Sequence, residues 1–466
     1  MISFSNLDIL VLIIFFAAVL FVGFISKVGK GKVSDEYLLS GRKVGLLLFV
    51  LTNVATWYGG ILGVGEFTYK YGIVSWVTQG LPYYIFAILF AIFFAKKIRE
   101  AKLFTIPDKL QQTYGREVGL LSAVIIFLLV SPAPYILMIA NLLTLIFNIK
   151  LLPAIVLGVL VSSIYLFKGG YKSDLYTDAL EFFVMFIGFI IMIYIANSDL
   201  GGLEFIKQNV PSDHLTFTGN ASITYIVVWF LIALWTFTDP GFHQRCYAAK
   251  SGKIARNGII ISVVLWALFD LLTTATGLYS RASLPDLQNP IQAFPLLAEK
   301  LLGPGIKGFF YAALFATILS TLNSFLFLSA TTFSRDFIYK IKNRMTDKET
   351  VIYTKVGLLV TIIISIPLAY YVKSIIQLWY LIGSILIPGI IFLIIGAYYA
   401  NFKIDKNYAI AEIILGVSGS LIWFFVRPLF ADTNILSQIE PMIVGLVLAL
   451  IVHLKGLKKR QKIYVD

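Results

Sequence analysis

The chain has one cysteine, Cys246, and three histidines, His214, His243 and His453, in 466 residues. A single thiol excludes an intrachain disulfide and any thiolate metal cluster. The histidines fall in separate segments, so neither a hydrolytic triad nor an HExxH zinc site can be assembled from them, which argues against an enzyme. Charge is scarce as well: only 14% of residues are Asp, Glu, Lys or Arg. No water-soluble domain of useful size is left over, because the longest polar connections are short and lie around 198–221 and 280–307.

Apolar residues take the place of charge. The chain is 59% hydrophobic, and its apolar runs repeatedly approach the roughly 20 residues that cross a bilayer as a helix. Spans are expected at approximately 8–28, 44–68, 74–95, 118–147, 153–168, 175–197, 222–244, 257–279, 308–334, 352–372, 375–398, 407–429 and 438–454, giving an all-α integral membrane protein of about thirteen helices. The first run has no basic segment before it and no small-residue cleavage site after it, so it reads as a span and not as a secretory signal. Counted over alternate connections, 30 of the 38 Lys and Arg fall on one side and 8 on the other. The positive-inside rule then puts the amino terminus outside and the carboxyl terminus in the cytoplasm. This asymmetry accounts for the net charge of +13 without nucleic acid, and the tail KGLKKRQK reads as a stop and lipid-facing anchor.

Three stretches combine polarity with helix-breaking residues. Backbone leaves a helix at membrane depth only where protein buries it or where it lines a cavity. In LTNVATWYGGILGVGE, Gly59 and Gly60 follow Asn53, Thr56, Trp57 and Tyr58. In WTFTDPGFHQRCYAAK, Asp239, Pro240 and Gly241 interrupt a second helix. Broken helices at corresponding positions of two halves point to an inverted-repeat transporter with its site near the midplane. In YAALFATILSTLNSF, Thr317, Ser320, Thr321 and Ser324 stand at i, i+3, i+4 and i+7 and so form one polar stripe. Hydroxyls beside loosened carbonyls suit a sodium ion; equally, such hydroxyls bond back along their own helix or permit close packing.

The runs YLLSGRKVG, GGYKSDLYTDALE, DPGFHQRCYAAK and ILSTLNS…FSRDFIYK, in this order and spacing, resemble the sodium/solute symporter family from about residue 10 to 400. That resemblance implies a LeuT-type core of two inverted five-helix repeats, at 44–197 and 222–398. An extra helix at 8–28 precedes the core, and helices at 407–454 follow it. It also implies a Na+ site made by the carbonyls of Ala55, Tyr58 and Thr317 with the hydroxyls of Ser320 and Thr321. A second sodium site, or an exit path toward the cytoplasm, falls on Asp178, Ser320, Asn323 and Ser324, with Asn323 standing where that pattern has a hydroxyl.

The solute positions implied are Asn53, Thr56, Trp57, Gln79, Trp235, Thr238, Asp239 and Gln377. Trp57 stands where proline carriers are acidic, which counts against proline. Asp239 has three roles open to it: pairing a solute ammonium, coupling a proton, or capping the helix after the break, the last favoured by Pro240. Arg245 is its candidate partner, while Asp270 has no assignable neighbour. The expected function is sodium-coupled import of a small polar solute of the amino acid, sugar or carboxylate class by alternating access, with lipid as surroundings and no obligatory protein partner. The alternative is a solute sensor acting through a separate signalling protein.

Overall fold

The computed structural model describes residues 2–26, 33–219, 221–342, 344–371, 375–430 and 435–463. Among the described residues all regular structure is helical, apart from an isolated bridge between Val44 and Ala249. A bilayer enforces this, because each backbone donor and acceptor must find its partner within the protein.

The spans, in chain order, are α1 (Asn6–Ile25), α2 (Leu46–Tyr58 with Ile61–Tyr71), α3 (Val74–Ala101), α4 (Arg116–Phe147), a short α5 (Leu151–Ser163), α6 (Tyr171–Leu200) and α7 (Ile223–Ala248). They continue as α8 (Gly252–Ser283), α9 (Ile306–Lys342), α10 (Asp347–Tyr371), α11 (Leu378–Gly389 with Ile391–Tyr398), α12 (Lys406–Leu429) and α13 (Pro441–Lys459). Ten of these are single helices long and apolar enough to cross, and the two bent pairs, α2 and α11, bring the number to twelve.

The expected span at 153–168 is the exception. Its helix ends at Ser163 after 13 residues, about 20 Å at 1.5 Å per residue, against a hydrocarbon core of about 30 Å. The connections around 198–221 and 280–307 carry short helices of their own, Leu203–Asn209 and Ala293–Leu301.

α9 is the axis of the molecule: the most apolar stretch along it is buried throughout. α6, α1 and α10 pack along it. By contrast α1, α10 and α12 bury less than a third of their most apolar windows, and they turn side chains such as Ile13, Phe21, Leu359 and Ile422 outward, as lipid-facing helices do. One acid ties the periphery to the axis. Asp8 caps α1, accepting from the Ser5 amide at 2.9 Å and the Ser5 hydroxyl at 2.7 Å. Its other oxygen takes the Gly305 and Gly308 amides at the start of α9, both at 2.8 Å, so one carboxylate satisfies orphan donors of two helices.

Both expected helix breaks are present. α2 passes through a 3₁₀ turn at Thr56–Tyr58 and bends by 55°. α7 loosens at Ala233–Leu234 and again at Asp239, from which the short helix Pro240–Ala248 starts.

Candidate ion and solute site

The stripe on α9 faces the break in α2. The Thr321 hydroxyl donates to the Thr56 carbonyl at 2.6 Å and lies 3.5 Å from the Thr317 carbonyl, bridging the two helices. Gly59 makes this approach possible, since a Cβ there would collide with the Thr321 side chain. Ser320 donates to Asp178 Oδ1 on α6 at 2.7 Å and lies 3.3 Å from the Thr56 hydroxyl. Ser324 donates to Asp174 Oδ2 at 2.6 Å. Thr317, Ser320 and Thr321 thus face the turn at which α2 unwinds, Ala55 and Tyr58 flank Thr56 in that turn, and all five are buried.

Behind the hydroxyls lies a cluster of buried charge. Asp174, Asp178 and Glu181 follow one another along α6, all with no exposed surface. Arg245, from the short helix after the α7 break, is the cation that reaches them, 3.8 Å from Asp178 Oδ2. Its guanidinium also donates to the Thr52 hydroxyl at 3.1 Å, to the Thr56 hydroxyl at 2.5 Å and to Ser324 at 3.4 Å. Arg245 therefore belongs to the α2–α6–α9 junction; the expected pairing with Asp239 is replaced by this one. Asp174 Oδ1, both Glu181 oxygens and Asn323 Oδ1 have no hydrogen-bond partner among the described residues, while the Asn323 amide meets the Tyr165 hydroxyl.

On the other side of the α2 break is a cavity of about 130 Å³, close to the roughly 150 Å³ that holds a benzene molecule. Of the positions named for the solute, Asn53, Thr56, Trp57, Gln79, Trp235 and Asp239 line it. Thr238 does not: its hydroxyl bonds back to the Trp235 carbonyl at 3.1 Å. That is the packing role open to any helical threonine. Gln377 lies outside the described side chains.

Asp239 is the cap that Pro240 suggested, with Oδ1 accepting from the Phe242 amide at 2.9 Å. Asp270 finds a partner in the Tyr84 hydroxyl and also lines the cavity, as do Tyr83, Tyr135, Trp229, Phe242 and Trp379. Apart from Phe242, which the run DPGFHQRCYAAK contains, these residues lie outside the motifs, and only the fold brings α3, α4, α7, α8 and α11 around one space. Asp270 alone carried a signal, as an acid at membrane depth.

The model of the sodium:solute symporter family matches residues 37–416. The chain belongs to that family. The symporter is 25% identical to sodium/proline symporter 2 of Staphylococcus saprophyticus subsp. saprophyticus, over 92% of this chain and 89% of that one. It is 25% identical to the high-affinity choline transporter 1 of Caenorhabditis elegans, over 86% and 75%, and 27% identical to the sodium/pantothenate symporter of Haemophilus influenzae, over 69% of each. Its fold matches a Na+-coupled sialic acid symporter in a substrate-bound outward-open state, with a TM-score of 0.81, 19% identity and 98% of each chain covered. It also matches a nucleobase-cation-symport-1 family transporter in a closed conformation, at 0.60, 13%, 91% and 94%. The symporter thus has the LeuT-type fold, sits in a membrane through many spans, and couples sodium to a small solute; family and relatives are transporters.

Proposed function

We propose that this symporter imports its solute by alternating access, with sodium held by the carbonyls of Ala55, Tyr58 and Thr317 and the hydroxyls of Ser320 and Thr321, and with the solute in the adjoining cavity. One observation carries the reading: the Thr321 hydroxyl stands 2.6 Å from a carbonyl of the unwound α2 turn, where a hard cation has both kinds of oxygen within reach.

Coupling follows from the shortness of that turn. Ala55 and Tyr58 supply carbonyls to the ion, while Trp57 between them presents its ring to the cavity. Sodium that straightens one side of this turn orients the other, so each ligand favours the backbone its partner needs. We assign 44–197 and 222–398 to the two repeats, the amino terminus to the outside and the carboxyl terminus to the cytoplasm.

Asp178, Asn323 and Ser324 form a second cation site or the first ion's path inward. The surplus of buried carboxylate over guanidinium charge around Arg245 supports a cation there, since an uncompensated buried charge costs several kcal/mol.

Uptake into proteoliposomes by Thr321 variants tests the first site. Thr321→Ser keeps the oxygen and should transport almost normally. Thr321→Val keeps the shape and should raise the sodium concentration for half-maximal uptake by about fivefold to a hundredfold, as a lost ligand at about 1–3 kcal/mol requires. Unaltered sodium dependence in the valine variant would reduce the hydroxyl to packing.

A further inference from the structure

The substrates named for the relatives are chemically disparate, a zwitterion, a cation and a carboxylate among them, so similarity does not choose among them. The cavity does. Its wall is aromatic on several sides: Trp57, Tyr83, Tyr135, Trp235, Phe242 and Trp379 line it. Trp57 is braced there, with ring centroids 4.8 Å from Tyr83, 5.8 Å from Phe242 and 5.0 Å from Trp266. Aromatic faces carry negative potential and attract a desolvated cation.

Two carboxylates share the wall, Asp239 and Asp270. Asp239 spends Oδ1 on the Phe242 amide, and no hydrogen bond or ion pair to its Oδ2 is made among the described residues. The one cation on the wall among the described residues, Arg245, is already directed to Thr52, Thr56, Ser324, Asp178 and the Gly241 carbonyl. A carboxylate on the solute would therefore enter a space holding two acids and no free positive partner.

The cavity does keep unpaired donors, however: Asn53 Nδ2, Gln79 Nε2 and Trp235 Nε1 are buried without acceptors. These suit an uncharged oxygen on the solute, while the ring faces and Asp239 suit a cationic group on it. We infer that the solute is a small organic cation, an alkylated ammonium carrying a hydroxyl or carbonyl oxygen. This class lies outside the amino acid, sugar or carboxylate expected from the sequence, and the inference rests on the cavity being the solute site as proposed above.

The test uses the full-length chain in nanodiscs. Binding of radiolabelled choline is competed with tetramethylammonium, with proline, pantothenate and myo-inositol, and with 3,3-dimethylbutan-1-ol, which copies choline's shape without its charge. Thermal unfolding with and without sodium is followed in parallel. Choline should bind, and the uncharged copy at least about tenfold more weakly. Asp239→Asn keeps a capping oxygen but not the charge, and should weaken choline about tenfold or more while eluting as a monodisperse protein.

Competition by the uncharged copy within about twofold of choline, or full choline affinity in a folded Asp239→Asn variant, would overturn the inference. So would sodium stabilisation of a chain that binds neither cation. The reading of the ion site fails separately: if choline is preferred over its uncharged copy but sodium neither stabilises the chain nor strengthens that binding, the solute class stands and sodium coupling at this site falls.

Discussion

Arg245 shows how much a single side chain holds together here. It joins α2, α6 and α9 through Thr52, Thr56, Asp178 and Ser324. Removing one partner of a buried pair strands the other and costs about 3–5 kcal/mol. Arg245→Met should therefore lower the melting temperature and the folded yield, and adding Asp178→Asn should recover much of the loss. An equally unstable double variant would show that the hydrogen bonds to Thr52 and Thr56, and not the charge pair, are what matters. A control for the ion site must be chosen with equal care. Ser329 is a poor one, since it donates to the Val130 carbonyl on α4 at 2.9 Å. Thr331 only bonds back to Phe327, so Thr331→Ala should leave sodium dependence unchanged. Single residues were legible from sequence when their neighbours were local: the Asp239 cap needs only Phe242, three residues on. Arg245 and Asp178, 67 positions apart, offered no local pattern to join them.

At the level of elements, the breaks in α2 and α7 were visible because glycine, proline and a capping acid mark where a helix stops. The end of α5 carried no such mark. Hydropathy runs on past Ser163 through Ile164, Tyr165 and Leu166, so the apolar run outlasts the helix and the expected span is too long. The cavity wall was legible only for the helices that carry motifs; the aromatic residues from α3, α4 and α11 have spacing no different from ordinary packing. Two predictions belong to this scale. Gly59→Ala should push α2 off α9, raising the sodium requirement while Gly303→Ala, with open space around its Cβ, changes nothing; sodium-dependent uptake by both variants decides. Asp8→Ala removes the carboxylate that serves the starts of α1 and α9 together, leaving only the Ser5 cap on α1, and should cost about 1–3 kcal/mol. Thermal unfolding would register this as a lower melting temperature with sodium dependence unchanged. A shifted sodium requirement would mean that the start of α9 is linked to its middle.

The whole molecule converts an ion gradient into a solute gradient. A monovalent cation falling through 100 mV releases about 2.3 kcal/mol, and a tenfold inward concentration ratio adds about 1.4 kcal/mol. One sodium per solute thus sustains a gradient of several hundredfold for an uncharged solute, and a larger one for a monovalent cation, on which the same potential acts directly. Replacing external sodium by potassium in proteoliposomes should abolish accumulation. Accumulation that survives this but collapses with the proton gradient would transfer coupling to the carboxylates of α6. The proposed orientation is testable at the same scale: with the basic connections on the cytoplasmic side, a fluorescent protein fused after Asp466 should mature, whereas alkaline phosphatase there should stay inactive.

The lone thiol gains a use from where it sits. Cys246 is fully buried on the short helix that follows the α7 break, next in sequence to Arg245. It is the chain's sole target for maleimide, so its alkylation reads one event without any engineered label. At high maleimide, where alkylation outpaces reclosing, the rate of modification is the rate at which that short helix comes away from its neighbours. Measured in sodium, in solute and in both, this rate follows the opening of that helix in the protein without any substitution.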